Sequence, residues 1–294
     1  MPIGIALTIL EFSMNVNSDK EIEVGNFAPR RLVVGPPESI CVVDWNINRG
    51  LQLNGILDFL IGVGADLILL QESDLNARRT HRLNIAREIA QKLEMHYVFG
   101  REFQELTQGS NSSPAYHGQV TLSRWPLSNP RLIRFDRQST FWRPRWFLPD
   151  IEPLQERIGG RIALVTETTV GGRVLVSYNL HLESRGDDRL RCAQLEECLK
   201  DSLRYKSGIP IVLAGDLNMN VFRTGADGAL SQALFQSAFL RLPDRTTPPR
   251  SIFDRGRPID WVFSRGPIKT SHASVHTSVA ASDHYPLSVQ LAFR

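Results

Sequence analysis

Six short polar motifs stand where runs that read as β-strands end: Asn46, Glu72, His181, Asp216-Leu217-Asn218, Asp260 and Asp283-His284. Groups of these types suit metal-assisted hydrolysis of a phosphate ester. That reaction needs neutralised anionic oxygens, a positioned water and help for the departing oxygen. A hard cation such as Mg²⁺, or Mn²⁺ in its place, takes oxygen ligands and keeps several waters, so few protein groups are needed to hold it. Glu72 is the candidate for direct coordination, with Asn46 and Asp283 completing or supporting the site. Asp216 could orient or deprotonate water. Asn218, two residues on and pointing the same way if the chain is extended, could donate to a phosphate oxygen. His181 and His284 would present imidazolium to a phosphoryl oxygen, and Asp260 could hold His284 in one tautomer and raise its pKa. Singly, each motif also has a bland explanation: a polar turn, a loop, or a buried amide that ties strand ends together. Glu72 resists that explanation, because a lone acid after an apolar run calls for a cation or a cluster of donors.

Positioning these groups requires strands that converge. Runs at 40–46, 66–70, 95–99, 119–123, 161–168, 173–182, 209–213, 259–263 and 287–293 read as strands, and Gly171-Gly172 marks a hairpin. Helical spacing places Ile56, Phe59, Leu60 and Val63 on one face, and Ala86, Ile89, Ala90 and Leu93 on the face of a helix over 80–94. A third helix starts near Asp187 and carries Cys192, Leu195, Leu199 and Leu203; residues 229–240 also read as helical. Hairpins mixed with helices imply an α/β or α+β layered fold, two mostly antiparallel sheets packed face to face with helices outside. Residues 1–38 read as an N-terminal extension ending at the Gly35-Pro36-Pro37 break, and 39–294 as one catalytic domain.

Composition narrows the class. The 294 residues, 42% of them hydrophobic, can bury one large core, and a net charge of +3 permits an anionic partner without marking a nucleic-acid coat. Of 34 basic residues only Lys20, Lys92, Lys200, Lys206 and Lys269 are lysines, and guanidinium suits bidentate phosphate contacts. Three cysteines without a C-x-x-C spacing argue against a zinc site or a disulfide framework and fit a reducing, cytoplasmic setting. The apolar run 3–10 is too short to span a bilayer. Between Phe135 and Arg161, aromatic and basic residues alternate; Trp142, Arg143, Arg145 and Trp146 could stack bases and bind phosphates, and Arg185 could extend that track. Packing of the tryptophans on the sandwich is the equal alternative.

The motifs Val43-Asp44-Trp45-Asn46-Ile47-Asn48, Leu69-Leu70-Gln71-Glu72, His117-Gly118-Gln119-Val120, Asn179-Leu180-His181-Leu182, Ala214-Gly215-Asp216-Leu217-Asn218, Ile259-Asp260-Trp261 and Ser282-Asp283-His284-Tyr285-Pro286 occur in one order. That ordered set, over residues 40–294, resembles the deoxyribonuclease I-like endonuclease/exonuclease/phosphatase superfamily. The resemblance implies a four-layer α/β/β/α sandwich with a Mg²⁺-dependent site at one end. It implies Glu72 as principal metal ligand supported by Asn46 and Asp283, Asp216 with Asn218 for water and phosphate, and Asp260 coupled to His284. In some nuclease members the counterpart of His181 has a carboxylate partner on the strand that corresponds to 119–123, and this chain has no acid there. Met219-Asn220-Val221-Phe222 departs from the aromatic-arginine pair of inositol phosphatases, and Leu217 from the threonine of tyrosyl-DNA phosphodiesterases. The expected activity is a metal-dependent phosphodiesterase acting as a monomer on nucleic acid. The alternatives are a phosphatase or phospholipase C-like esterase on lipid or small phosphoesters, and a non-catalytic binding module of the same fold.

Overall fold

Alternation with a period of two sets the layers. The computed structural model describes residues 21–29, 37–145, 147–151, 154–239, 241, 243–251 and 253–294. The run 3–10 and most of the Gly-Pro-Pro break lie outside those residues. In chain order the strands and helices begin with β1 (Ile22–Asn26), β2 (Ser39–Arg49), α1 (Leu53–Val63), β3 (Leu67–Leu75), α2 (Ile85–Leu93), β4 (His96–Ser110) and β5 (Ser113–Ser123). There follow β6 (Leu127–Arg134), β7 (Arg157–Gly159), β8 (Ile162–Val170), β9 (Arg173–His181), α3 (Asp188–Ser202) and β10 (Ile211–Asp216). The chain continues through α4 (Val221–Thr224), α5 (Ala226–Gln232), β11 (Gln236–Ser237), β12 (Asp260–Arg265), β13 (Ile268–Val275) and β14 (Leu287–Phe293).

One sheet has the order β1-β4-β5-β3-β2-β14-β13 with β7 beside β4, and the other β11-β12-β10-β9-β8-β6. Pairing is antiparallel except for β2 with β3 and β9 with β10. In β2 the odd residues Cys41, Val43, Trp45 and Ile47 pack with Ile56 and Leu60 of α1 and Ile85, Ala86 and Ile89 of α2, while Ile40 and Val42 face the other sheet. In β10, Ile211 and Leu213 pack against Leu195 and Leu199 of α3, while Val212 and Ala214 face inward. Three apolar interfaces therefore separate four layers, α/β/β/α. Among the described residues no helix is long and apolar enough to cross a membrane.

Each inward row changes character along its length. Ile40 and Val42 give way to Asp44 and Asn46, Leu67 and Leu69 to Gln71, Leu175 to Asn179 and His181, and Val212 and Ala214 to Asp216. One end of the space between the sheets is lined by apolar side chains, and the other end by polar groups. The register carries this across strands: Asp216 pairs with His181 on one side and Asp260 on the other, and Asn46 pairs with Gln71. Gly215 permits the close approach of β9 and β10. At its φ of +147° a Cβ would lie 1.9 Å from the Leu180 carbonyl oxygen, so any side chain there would push Asp216 away from His181.

Several elements differ from the sequence reading. β3 does not stop at Glu72 but continues to Leu75, with register shifts against both neighbours beside Glu72. The helix expected over 80–94 begins at Ile85, where Asn84 caps it, because His81 and Arg82 take left-handed φ of 55° and 58°. The helix expected over 229–240 ends at Gln232; Leu234 is left-handed at φ 65°, and Gln236–Ser237 joins the sheet as β11. Leu230 and Phe235 reach the core either way, so apolar spacing could not tell the two apart. β6 and β13 carried no readable pattern because both are edge strands with few buried residues. Ile22–Asn26, within the segment read as an extension, pairs with β4.

Candidate active site

The parallel pair β2–β3 sets Asn46 beside Glu72, and the facing sheet brings Asp216 to them. The Asn46 Nδ2 amide donates to Glu72 Oε1 (3.3 Å) and to Asp216 Oδ2 (3.1 Å), so one amide links acids from both sheets. Its Oδ1 accepts from the Asn48 N–H. Glu72 itself sits at a left-handed φ of 56°, where a non-glycine residue is strained. That turn of the backbone interrupts the β3 ladder and lets the carboxylate line the cleft. Burial opposes ionisation of Glu72, but nearby His117, His181, Arg49 and Arg161 outweigh it and hold the acid well below the usual carboxylate range.

A second group forms around His284. Its Nδ1 lies 2.9 Å from both carboxylate oxygens of Asp260, and its Nε2 lies 3.7 Å from Asp216 Oδ2. Burial disfavours the charged imidazole, yet Asp260, backed by Asp216, pushes its pKa up to about 10. The turn that carries His284 is tied to β2. The Trp45 indole N–H donates to the His284 carbonyl (2.8 Å), and Ser282 Oγ donates to the Asn46 carbonyl (2.6 Å). Thr246 Oγ1 donates to Asp260 Oδ2 and so fixes the acid in turn.

His181 has the acidic partner that its own motif and residues 119–123 lacked. It comes from β4: Glu102 Oε2 is 3.4 Å from His181 Nδ1. Arg161 Nη1 contacts Glu102 Oε1 at 2.7 Å and lies within 2.9 Å of both imidazole nitrogens. Burial works against the Glu102 charge, but Arg161 and His181 bring its pKa down to about 2. Neither Glu102 nor Arg161 stood at a motif. Their only signal was that each is a charge within or at the edge of an apolar alternation. His117, also buried, lies 3.0 Å from Asp74, which Arg79 grips with two nitrogens at 2.7 and 2.8 Å.

Behind the cleft, the Gln71 amide donates to Asp44 Oδ1 and Asn179 Oδ1, both at 2.8 Å. Burial, reinforced by the Asp260 charge, raises the Asp44 pKa well above its ordinary value. This amide bridge locks the residues two before Asn46, one before Glu72 and two before His181 into one frame.

Asn218 is not extended. At φ 52° its N–H closes a turn onto Asp216 Oδ1 (2.9 Å) and its amide donates to the Leu182 carbonyl (3.1 Å). Asp283 lines the same cleft, and its carboxylate pairs with Arg250 at 3.0 Å. The cleft, about 290 Å³, is bounded by Glu72, His181, Asp216, Asn218 and His284 and by the guanidinium groups of Arg49, Arg157, Arg161, Arg185, Arg191, Arg250 and Arg257.

The aromatic-basic segment divides. Trp142 is only 3% exposed; its ring packs on Phe103 and Phe141, and its indole N–H donates to both oxygens of Glu183 at 3.0 and 3.1 Å. The ring is a packed part of the cleft wall rather than a free stacking surface. Arg185 and Arg145 lie over the Phe141 ring at 4.8 and 5.3 Å, Arg143 is exposed outside the cleft lining, and Trp146 lies outside the described residues. Trp142→Phe is expected to lower stability by about 1–3 kcal/mol, because Glu183 loses a donor in a buried site. Urea unfolding measures this; weaker nucleic-acid binding at unchanged stability would restore the stacking role.

The Glu72 carboxylate, held by the Asn46 amide N–H, is a hard oxygen ligand of the kind a divalent cation takes. Asp216, Asp260 and His284 also offer ligand atoms within 4.8 Å of one another. Asp260 and Asp216 favour the protonated form of that imidazole, and an imidazolium has no lone pair to give a cation.

A profile of the Endonuclease/Exonuclease/phosphatase family matches residues 45–284. No curated protein matches the chain at the sequence level. Among solved structures, an endonuclease/exonuclease/phosphatase from Beutenbergia cavernae DSM 12333 superposes with a TM-score of 0.64 at 16% identity, over 87% of this chain and 72% of the other. The human Nocturnin catalytic domain with bound sulfate gives 0.61 at 19% identity, over 89% and 97%. A humanized D. rerio TDP2 gives 0.58 at 16%, over 87% and 99%. At these identities the likeness is one of fold.

Proposed function

Since the chain belongs to the endonuclease/exonuclease/phosphatase family, we propose that it is a metal-dependent phosphodiesterase that cleaves nucleic acid by attack of water. The observation that carries this reading is the meeting of Glu72, Asn46, Asp216, His181 and the Asp260–His284 pair in one arginine-lined cleft. Mg²⁺ or Mn²⁺ would be held by Glu72 with support from Asn46, and would supply charge neutralisation at the phosphoryl oxygen and an acidified water. Asp216 orients the attacking water and accepts its proton. His181, held by Glu102 and Arg161, and protonated His284 donate to the phosphoryl oxygens where charge develops. Arg161 and its neighbours bind the anion, a task for which the guanidinium fork is suited. The protein acts as a monomer in the cytoplasm, a setting supported by its three free cysteines.

One panel tests the reading: plasmid, single-stranded DNA, abasic duplex, RNA, sphingomyelin and inositol phosphates, each with Mg²⁺ and with chelator. The expected result is chelator-sensitive cleavage of a nucleic acid. Cleavage confined to sphingomyelin or inositol phosphates would transfer the site to the esterase reading, and no cleavage of any substrate would favour a binding module.

A further inference from the structure

The loop between β11 and β12 holds cationic and aromatic groups that the hydrolytic chemistry leaves unused. Its base is fixed. The Thr246 N–H donates to the Arg257 carbonyl (2.8 Å), Thr246 Oγ1 accepts from the Ile259 and Asp260 N–H groups (3.0 and 3.1 Å), and the Tyr285 N–H donates to the Thr246 carbonyl (2.7 Å). Gly256, at φ +82°, closes the loop so tightly that a Cβ would lie 2.1 Å from the Thr247 carbonyl oxygen. Thr246, Gly256 and Arg257 are thereby clamped to the strand that carries Asp260 and to the turn that carries His284.

From this frame Arg250 and Arg257 line the same cleft as Glu72 and His181. Arg250 reaches across to Asp283, and no side-chain partner holds Arg257 among the described residues. Phe253 lies between these two arginines in the chain and is 92% exposed. A solvent-exposed phenyl ring three residues after one cleft-lining arginine and four before another matches a ligand that alternates negative charge with flat apolar faces. A nucleic-acid strand has that pattern. A bilayer surface would instead be met by apolar area with its cations directed outward, whereas here the cations point into the cleft.

We propose that Arg250, Phe253 and Arg257 bind the nucleotide next to the scissile phosphate, with Phe253 stacked on an unpaired base and Arg257 on the adjoining phosphate. The inference deepens the phosphodiesterase reading and rests on it. It makes single-stranded segments the preferred substrate, because a paired base has both faces occupied.

Fluorescence anisotropy of a labelled oligothymidylate on the full chain, with chelator present so that nothing is cleaved, is the direct test. Phe253→Ala is expected to weaken binding about tenfold, and Phe253→Trp to restore it. Under turnover, kcat/KM for the oligonucleotide should fall about tenfold further in Phe253→Ala than that for bis(p-nitrophenyl) phosphate. Equal losses on both substrates, or unchanged anisotropy in both Phe253→Ala and Arg257→Ala, would overturn the proposal. So would a Phe253→Ala protein that loses binding to phosphatidylserine vesicles but keeps its affinity for the oligonucleotide. Phe253-dependent binding without any metal-dependent cleavage would refute the phosphodiesterase reading and leave this binding site standing. Cleavage with Phe253-independent binding would do the reverse.

Discussion

Glu72→Gln is expected to lower kcat by roughly 10³-fold in chelator-sensitive hydrolysis and to weaken Mn²⁺ binding, with the fold retained. The substitution keeps the size and the hydrogen-bonding reach of the side chain, so Asn46 still has an acceptor. What it removes is the anion. His117, His181, Arg49 and Arg161 hold that anion in its ionised form, and a neutral amide at the same place offers a cation far less. Linkage gives a second readout. Because the folded-state pKa of Glu72 is depressed, its charge contributes stability above its ordinary value of 4.5, and that contribution is lost as pH falls below it. Glu72→Gln should therefore show a flatter loss of stability on acidification, measured by urea unfolding across pH. Retained activity together with unchanged Mn²⁺ affinity would remove Glu72 from the metal site and leave it as a structural ion-pair partner.

Asp260→Asn should bring the alkaline limb of the pH–rate profile down from near 10, where burial is overcome by Asp260 and Asp216, toward or below the ordinary imidazole value of 6.5. At pH 8 the expected loss of rate is roughly 10²–10⁴-fold, since the variant holds neutral imidazole where the parent holds imidazolium. The sign of the stability effect is fixed by the raised pKa. Protonation of His284 contributes fully below 6.5 and is lost as pH rises through about 10, so the parent's advantage over Asp260→Asn disappears at strongly alkaline pH. The Thr246 hydroxyl would remain beside the new amide, which limits local rearrangement. An alkaline limb that stays in place would mean that Asp260 orients His284 without setting its charge.

Asp260 and His284 were readable as a pair because each follows or precedes an apolar run, and an acid beside an imidazole has a definite electrostatic consequence. Glu72 was readable as an acid with no local partner. Its left-handed φ and the interruption of β3 were not readable, because they depend on how both neighbouring strands register against it. Asn218 shows the same limit: spacing placed it two residues from Asp216, but the tight turn that aims its amide at Leu182 follows from the backbone conformation.

Local alternation determined most strands, the layered class and the polar ends of the inward rows, since a strand's faces are set by a period of two wherever it lies. The partners of those polar ends were decided by tertiary structure alone. Glu102 and Arg161 reach His181 from 79 and 20 residues away along the chain, and Thr246 reaches Asp260 through a loop without strand or helix periodicity. Burial of Trp142 against Phe103 likewise decided between the two readings of that ring, stacking surface or packed wall, in favour of the wall, while Phe253 was left in solvent. The chain carries the list of charges in its own order, but charge coupling falls off with distance in space, and only the packing of one sheet on the other sets those distances.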